Sequence, residues 1–136
     1  MALNKPPVAA TSYLNVDLEL RSASGLNALI DALAPVAFVL HHEPQQWASL
    51  ELRVETDTPE QSIQNFCSAI ESFHTDSRKL WDQCEKRCFD IGVQSGLTPY
   101  SKRFLFSAET ISRLSVLNAE VVLTVYAAET VASTTG

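Results

Sequence analysis

His41, His42 and Glu43 stand side by side, and Cys84 and Cys88 lie four positions apart. These residue types can ligate zinc or arm a thiol for nucleophilic attack. Their spacing suits neither task. Adjacent residues on a strand point to opposite faces, so His41 and His42 cannot converge on one ion. A four-ligand site on the two cysteines would have to recruit His74 or one of that pair from elsewhere in the chain. A catalytic thiol needs an aimed base and an acidified, exposed sulfur, and nothing near Cys67, Cys84 or Cys88 supplies them. All three read as buried thiols behaving like small apolar side chains. The four glycines form neither a phosphate-cradling loop nor a dinucleotide fingerprint. No catalytic residue, metal ligand or cofactor is assigned.

What remains is charge, arranged with a period of two. Leu14, Val16, Leu18 and Leu20 alternate with Asn15, Asp17, Glu19 and Arg21. Ala48, Leu50, Leu52 and Val54 alternate with Trp47, Ser49, Glu51, Arg53 and Glu55. Such alternation requires a sheet with one face buried and the other in water. Trp47 falls on the wet side beside Glu51 and Arg53, either as an exposed binding anchor or as a ring tucked under a hairpin loop. From His41 to Asp76 seven acids accompany Arg53 alone, whereas from Ser77 to Arg103 six bases accompany three acids. The acidic segment reads either as a solvated face or as a patch that steers and docks a basic partner. The candidate partner-binding residues are Trp47, Glu51, Arg53, Glu55 and Asp57, with Asp17 and Glu19 on the neighbouring strand.

Length and composition bound the rest. The 136 residues suit one domain spanning 1–136, with a core over about 11–127 and loose tails at 1–10 and 128–136. A net charge of −6 opposes nucleic-acid binding, which needs Lys and Arg to displace counterions. The longest apolar run, Pro35 to Leu40, is far too short to cross a bilayer, and Met1 to Ala10 lacks the apolar stretch of a secretory signal. Three cysteines, an odd number, do not make a disulfide framework, so a reducing cytoplasm is expected.

The elements that must position these residues can be read in order. A strand over Ser12–Arg21 precedes a helix with Leu26, Leu29, Ile30 and Leu33 on one stripe, capped by Ser22 or Ser24 and ended by Pro35. Val36–Leu40, apolar throughout, predicts a strand covered on both faces, and Trp47–Glu55 a strand paired with it. Thr58-Pro59-Glu60-Gln61 is a capping-box helix start, with Ile63, Phe66, Cys67, Ile70 and Phe73 inward. A short helix from Asp76 carries Leu80, Trp81 and Cys84. A strand over Arg87–Gln94 turns Phe89, Ile91 and Val93 inward and Asp90 and Gln94 outward. Arg103–Phe106 predicts a short strand. Ser107 caps a helix with Ile111, Leu114 and Leu117 inward, Asn118 stops it in the left-handed region, and Glu120–Tyr126 is the last strand. The expected class is α+β, a ferredoxin-like (split βαβ) antiparallel sheet extended by a C-terminal strand-helix-strand, with helices on one face.

Several segments together carry a resemblance: Tyr13-Leu-Asn-Val-Asp-Leu-Glu-Leu20, the Trp47 strand leading to Thr58-Pro59-Glu60-Gln61, Phe89-Asp90-Ile91-Gly92-Val93, Leu105-Phe106-Ser107-Ala108-Glu109, and Asn118 to Tyr126. Over nearly the whole chain the layout resembles a widespread family of small, uncharacterised bacterial α+β domains associated with polymorphic-toxin immunity proteins. The resemblance implies stoichiometric neutralisation of a cognate protein toxin, without catalysis; charge and the short apolar runs argue against nucleic-acid and membrane partners, and a monomer or a homodimer is expected. A basic, nuclease-like toxin would suit an acidic surface. The competing expectation is a small-molecule-binding regulatory domain of ferredoxin-like fold.

Overall fold

The computed structural model describes residues 10–44 and 46–128. The tails expected to be loose, 1–10 and 128–136, fall almost wholly outside the described residues. Five strands and four helices follow in the order β1 (Ser12–Arg21), α1 (Leu26–Leu33), β2 (Ala37–Glu43), β3 (Trp47–Leu52), α2 (Pro59–Glu71), α3 (Thr75–Asp82), β4 (Lys86–Gln94), α4 (Ala108–Val116) and β5 (Glu120–Tyr126). The fold is α+β. One sheet runs β2-β3-β1-β4-β5; β1 pairs antiparallel with both β3 and β4, β2 pairs antiparallel with β3, and β5 pairs parallel with β4. The sheet is therefore mixed, and the expected purely antiparallel pairing ends at β4.

The period-two pattern locates the core. Val16, Leu18 and Leu20 of β1, Ala48 and Leu50 of β3, and Phe89, Ile91 and Val93 of β4 join Leu26, Leu29, Leu33, Ile63, Phe66, Ile70, Trp81, Leu114 and Leu117 from the helical layer in one buried cluster. The helices cover this face, and the alternate strand residues stay outside the cluster. Leu14 departs from the pattern because the β1–β4 register shifts between Tyr13 and Asn15. Leu14 is exposed, and Tyr13 packs against the core with its hydroxyl 2.6 Å from Ser62 Oγ of α2.

Local chemistry fixes the helix ends. Thr58 Oγ1 accepts from the Gln61 N–H at 3.2 Å, and Gln61 Oε1 accepts from the Asp57 N–H at 3.1 Å, closing a capping box one residue wide of the ideal. Thr58→Ala should lower stability by about 1 kcal/mol, read as a lower urea midpoint at unchanged slope; an unmoved midpoint would discount the cap. Glu60 of α2 accepts the backbone N–H of Ser107, the N-cap of α4, and that bond holds its carboxyl below the usual range. At α1 the cap differs from expectation. Gly25 occupies the N-cap position at φ 83°, where a Cβ would lie 2.7 Å from Leu80 Cδ2, and Ser22 Oγ donates to the Ser24 carbonyl instead.

Three further expectations are corrected. Val36–Leu40 is not doubly covered: β2 is an edge strand, and Phe38, Val39 and Leu40 are exposed. A continuous apolar run does not distinguish an edge from a centre. Arg103–Phe106 forms no strand; Phe104 and Phe106 pack on the core margin from irregular backbone. On α4 the inward stripe is Thr110, Leu114 and its C-cap Leu117, at i, i+4 and i+7, which leaves Ile111 exposed; Arg113 pairs with Glu71 of α2 at 2.8 and 2.9 Å.

Candidate functional site

The face of the sheet opposite the helices is a carboxylate surface. Registers place Glu51 of β3 directly across from Asp17 of β1, and Asp17 directly across from Asp90 of β4. Directly paired residues on one face hold their Cβ atoms about 4.5–5.5 Å apart, so three acids stand shoulder to shoulder across the middle of the sheet. Polar neighbours partly satisfy them. Asn15 Nδ2 donates to Asp17 Oδ1 at 3.1 Å and to Glu51 Oε1 at 2.7 Å, and Thr124 Oγ1 of β5 donates to Asp90 Oδ1 at 2.6 Å. Gly92 leaves room for that Asn15 carboxamide; a Cβ there would sit 3.0 Å from Asn15 Oδ1. Among the described residues no basic side chain pairs with Asp17, Glu51 or Asp90. Burial, then the charges of Glu51, Asp90 and Glu19, push the Asp17 carboxyl up to about 6.

Toward the other end of the face the charges mix. Glu19 meets Lys86 at 3.5 Å, and Arg21 stands between Trp47 and Lys86 in the register. Trp47 is half-buried and stacks on His41, ring centroids 5.1 Å apart and nearly parallel. His42, one residue on, pairs with Ala48 and takes the core side, so the two histidines lie on opposite faces. Its Nε2 is buried without a hydrogen-bond partner among the described residues. Cys88 shares the open face with Glu19 but is screened by its neighbours; Cys67 and Cys84 belong to the core. Burial raises all three thiols, Cys67 to about 11.

Four of the seven residues singled out in the sequence (Asp17, Glu19, Trp47 and Glu51) therefore share this face. The other three lie beyond the paired strand, because β3 ends at Leu52 and the alternation continues into a loop, although Arg53 and Glu55 line one small cavity with Glu51 and Asn15. Arg53 turns aside so that its Nε donates to the Ala34 carbonyl at 2.7 Å. Glu55 is exposed and, with Glu51, Asn15 and Phe38, lines a small cavity of about 300 Å³ at the end of the sheet. Asp57 is tied into the cap of α2 through its backbone. Asp90, Asn15, Thr124 and Lys86 were missed. The outward position of Asp90 was legible, but its neighbours were not, since strand order decides them.

The basic segment is largely absorbed by structure. Arg87 reaches the carbonyls of Cys84 at 2.6 Å, Trp81 at 3.1 Å and Asn118 at 3.0 Å, gathering the C-terminal ends of α3 and α4. Arg78 pairs with Asp82 within α3. On the helical side a groove of about 680 Å³ opens between α1, α2 and the end of β3, with Val36, Leu52, Phe73, Arg53 and His74 among its walls. No helix among the described residues is long and apolar enough to cross a membrane. The chain matches no protein-family model, no curated protein and no solved structure.

Proposed function

We propose that this is a non-catalytic binding protein whose open sheet face docks a basic protein surface, acting as an immunity protein that neutralises a cognate bacterial toxin. The observation that carries the reading is the row Glu51-Asp17-Asp90, three adjacent acids with no basic partner among the described residues. Like charges directly opposed on a sheet destabilise it, and a fold that retains them uses them elsewhere. A cationic partner would relieve that repulsion on docking, and the surrounding acidity would speed its approach. Trp47, stacked on His41 at the margin, supplies an amphipathic ring of the kind that anchors interfaces. The strand order of β1 to β4, with β1 and β3 between β2 and β4, supports reading this part as a ferredoxin-like split βαβ unit to which α4 and β5 are appended.

The test is binding of the protein encoded immediately upstream, followed across a salt series. Association should slow steeply with ionic strength, and Glu51→Lys, which gives Asp17 a partner, should weaken binding at least tenfold while leaving the fold intact. Absence of binding, or binding indifferent to both salt and Glu51→Lys, would overturn the reading. A second reading draws on the groove of about 680 Å³, whose apolar walls and Arg53 suit a small amphipathic acid. A thermal shift produced by such a ligand and abolished by Phe73→Lys would favour a regulatory module instead.

A further inference from the structure

Among the described residues, strand β5 is a sheet edge without the usual protection. Its core-side residues Val121, Leu123 and Val125, opposite Phe89, Ile91 and Val93 of β4, remain 45 to 58% exposed. Its other side shows Val122 and Tyr126, also exposed. Seven residues long, it carries no proline, no lysine and no register shift. The opposite edge, β2, has a shift between Val39 and His41 and ends in His41, His42 and Glu43, devices that discourage pairing.

We infer that β5 is a dimerisation edge: two copies of this chain pair β5 antiparallel about Leu123, joining their sheets into one of ten strands. The sequence of β5 is self-complementary in that register. Centring on Leu123 uses all seven residues, sets Val121 opposite Val125 of the second copy, and keeps core-side residues on one face. Glu120, the sole charge of the strand, falls opposite Tyr126, and the two Glu120 side chains stand about 20 Å apart at opposite ends of the paired strands. Charge points the same way. Copies of a chain carrying −6 repel one another over most of their surface and can approach closely only at a nearly neutral patch. The exposed apolar side chains of β5 offer on the order of 400 Å² per copy, comparable to the largest apolar patch of a typical monomer, which is often functional. Twice that area lies at the small, transient end of specific interfaces, so the dimer should be weak, and its equilibrium is read over roughly 1 μM to 1 mM.

Sedimentation of the full chain across that concentration range should give a reversible monomer–dimer equilibrium. Leu123→Lys, which sets two ammonium groups face to face at the two-fold axis, should weaken it at least tenfold with an unchanged far-ultraviolet spectrum, because Leu123 is more than half exposed in one copy. Leu123→Cys tests the register. Directly opposed Cα atoms lie about 4.5–5.5 Å apart, within disulfide reach, so mild oxidation should crosslink this variant. Val121→Cys, about 13 Å from its counterpart, should not crosslink. The native thiols are buried and serve as the background. A wild-type chain that stays monomeric, as it would if its own residues beyond Ala128 covered the edge, overturns the inference. So does a dimer that resists Leu123→Lys, or one that crosslinks as readily through residue 121 as through 123.

Discussion

Trp81→Ala should remove about 3–5 kcal/mol of stability, a large share of the roughly 5–15 kcal/mol available to a domain of this size. The expected magnitude follows from what the ring does. Trp81 is the largest fully buried side chain, and it lies on α3, a helix of only eight residues that could not persist alone. Its indole N–H donates to the Leu117 carbonyl at 3.0 Å, joining α3 to the C-terminal end of α4. Arg87 then draws together the carbonyls of Trp81, Cys84 and Asn118 at the same joint. Alanine would open a cavity and strand the Leu117 carbonyl. Trp81→Phe keeps most of the volume and isolates the second effect, with an expected loss of about 1–3 kcal/mol. Urea denaturation of both variants measures the difference. An alanine variant within about 1 kcal/mol of wild type would mean that the α3–α4 joint is dispensable.

Asp17→Asn should stabilise the protein at neutral pH. Asp17 has its folded pKa raised to about 6 from an ordinary 3.8, so the native state holds a proton that the unfolded chain has released between those values. Stability from this group is therefore present below about pH 4, is lost as pH climbs through 6, and stays lost above it. A rise of that size corresponds to roughly 3 kcal/mol, and discounting for the water that reaches this half-buried group leaves about 2 kcal/mol. Asparagine removes the charge while its carbonyl can still accept from Asn15. Glu71 titrates in the opposite sense: Arg113 lowers its pKa, and its contribution disappears only as pH falls through the lowered value. Wild type should thus grow more stable from pH 7 to about 5 before acid loss begins. The Asn variant should lack that rise and show its largest advantage above pH 6. Equal stabilities of the two proteins at pH 7.5 would refute the account.

Strand faces were legible wherever chain chemistry acts locally. The alternation in β1 and β3 assigns Val16, Leu18, Leu20, Ala48 and Leu50 to the core, and Thr58-Pro59 marks the start of α2, because pleating and capping depend on nearest neighbours. Where strands stop was harder to read. Arg53, Val54 and Glu55 keep the rhythm, yet pairing fails there. Arg53 still donates its N–H to the Val36 carbonyl, but the Val36 N–H turns back to the Leu33 carbonyl of α1 instead of returning the bond, and the ladder ends there. The site was half visible for the same reason. Asp17 and Glu51 lie in the two segments with the clearest alternation, whereas Asp90 joins them only because β4 lies beside β1, a long-range choice that no local pattern encodes. Ile111 was placed inward from spacing alone, but Thr110, Leu114 and Leu117 form the buried stripe and leave it outside.

The central position of β1 has a consequence for synthesis. Of these five strands β1 is made first, yet it needs partners on both sides, and its second partner follows about seventy residues later, Leu18 finding Phe89. At ordinary elongation rates that strand waits several seconds with half its backbone unsatisfied. Asp17, Glu19 and Arg21 then act as gatekeepers, keeping a nascent Leu-rich segment from sticking to its neighbours on the polysome.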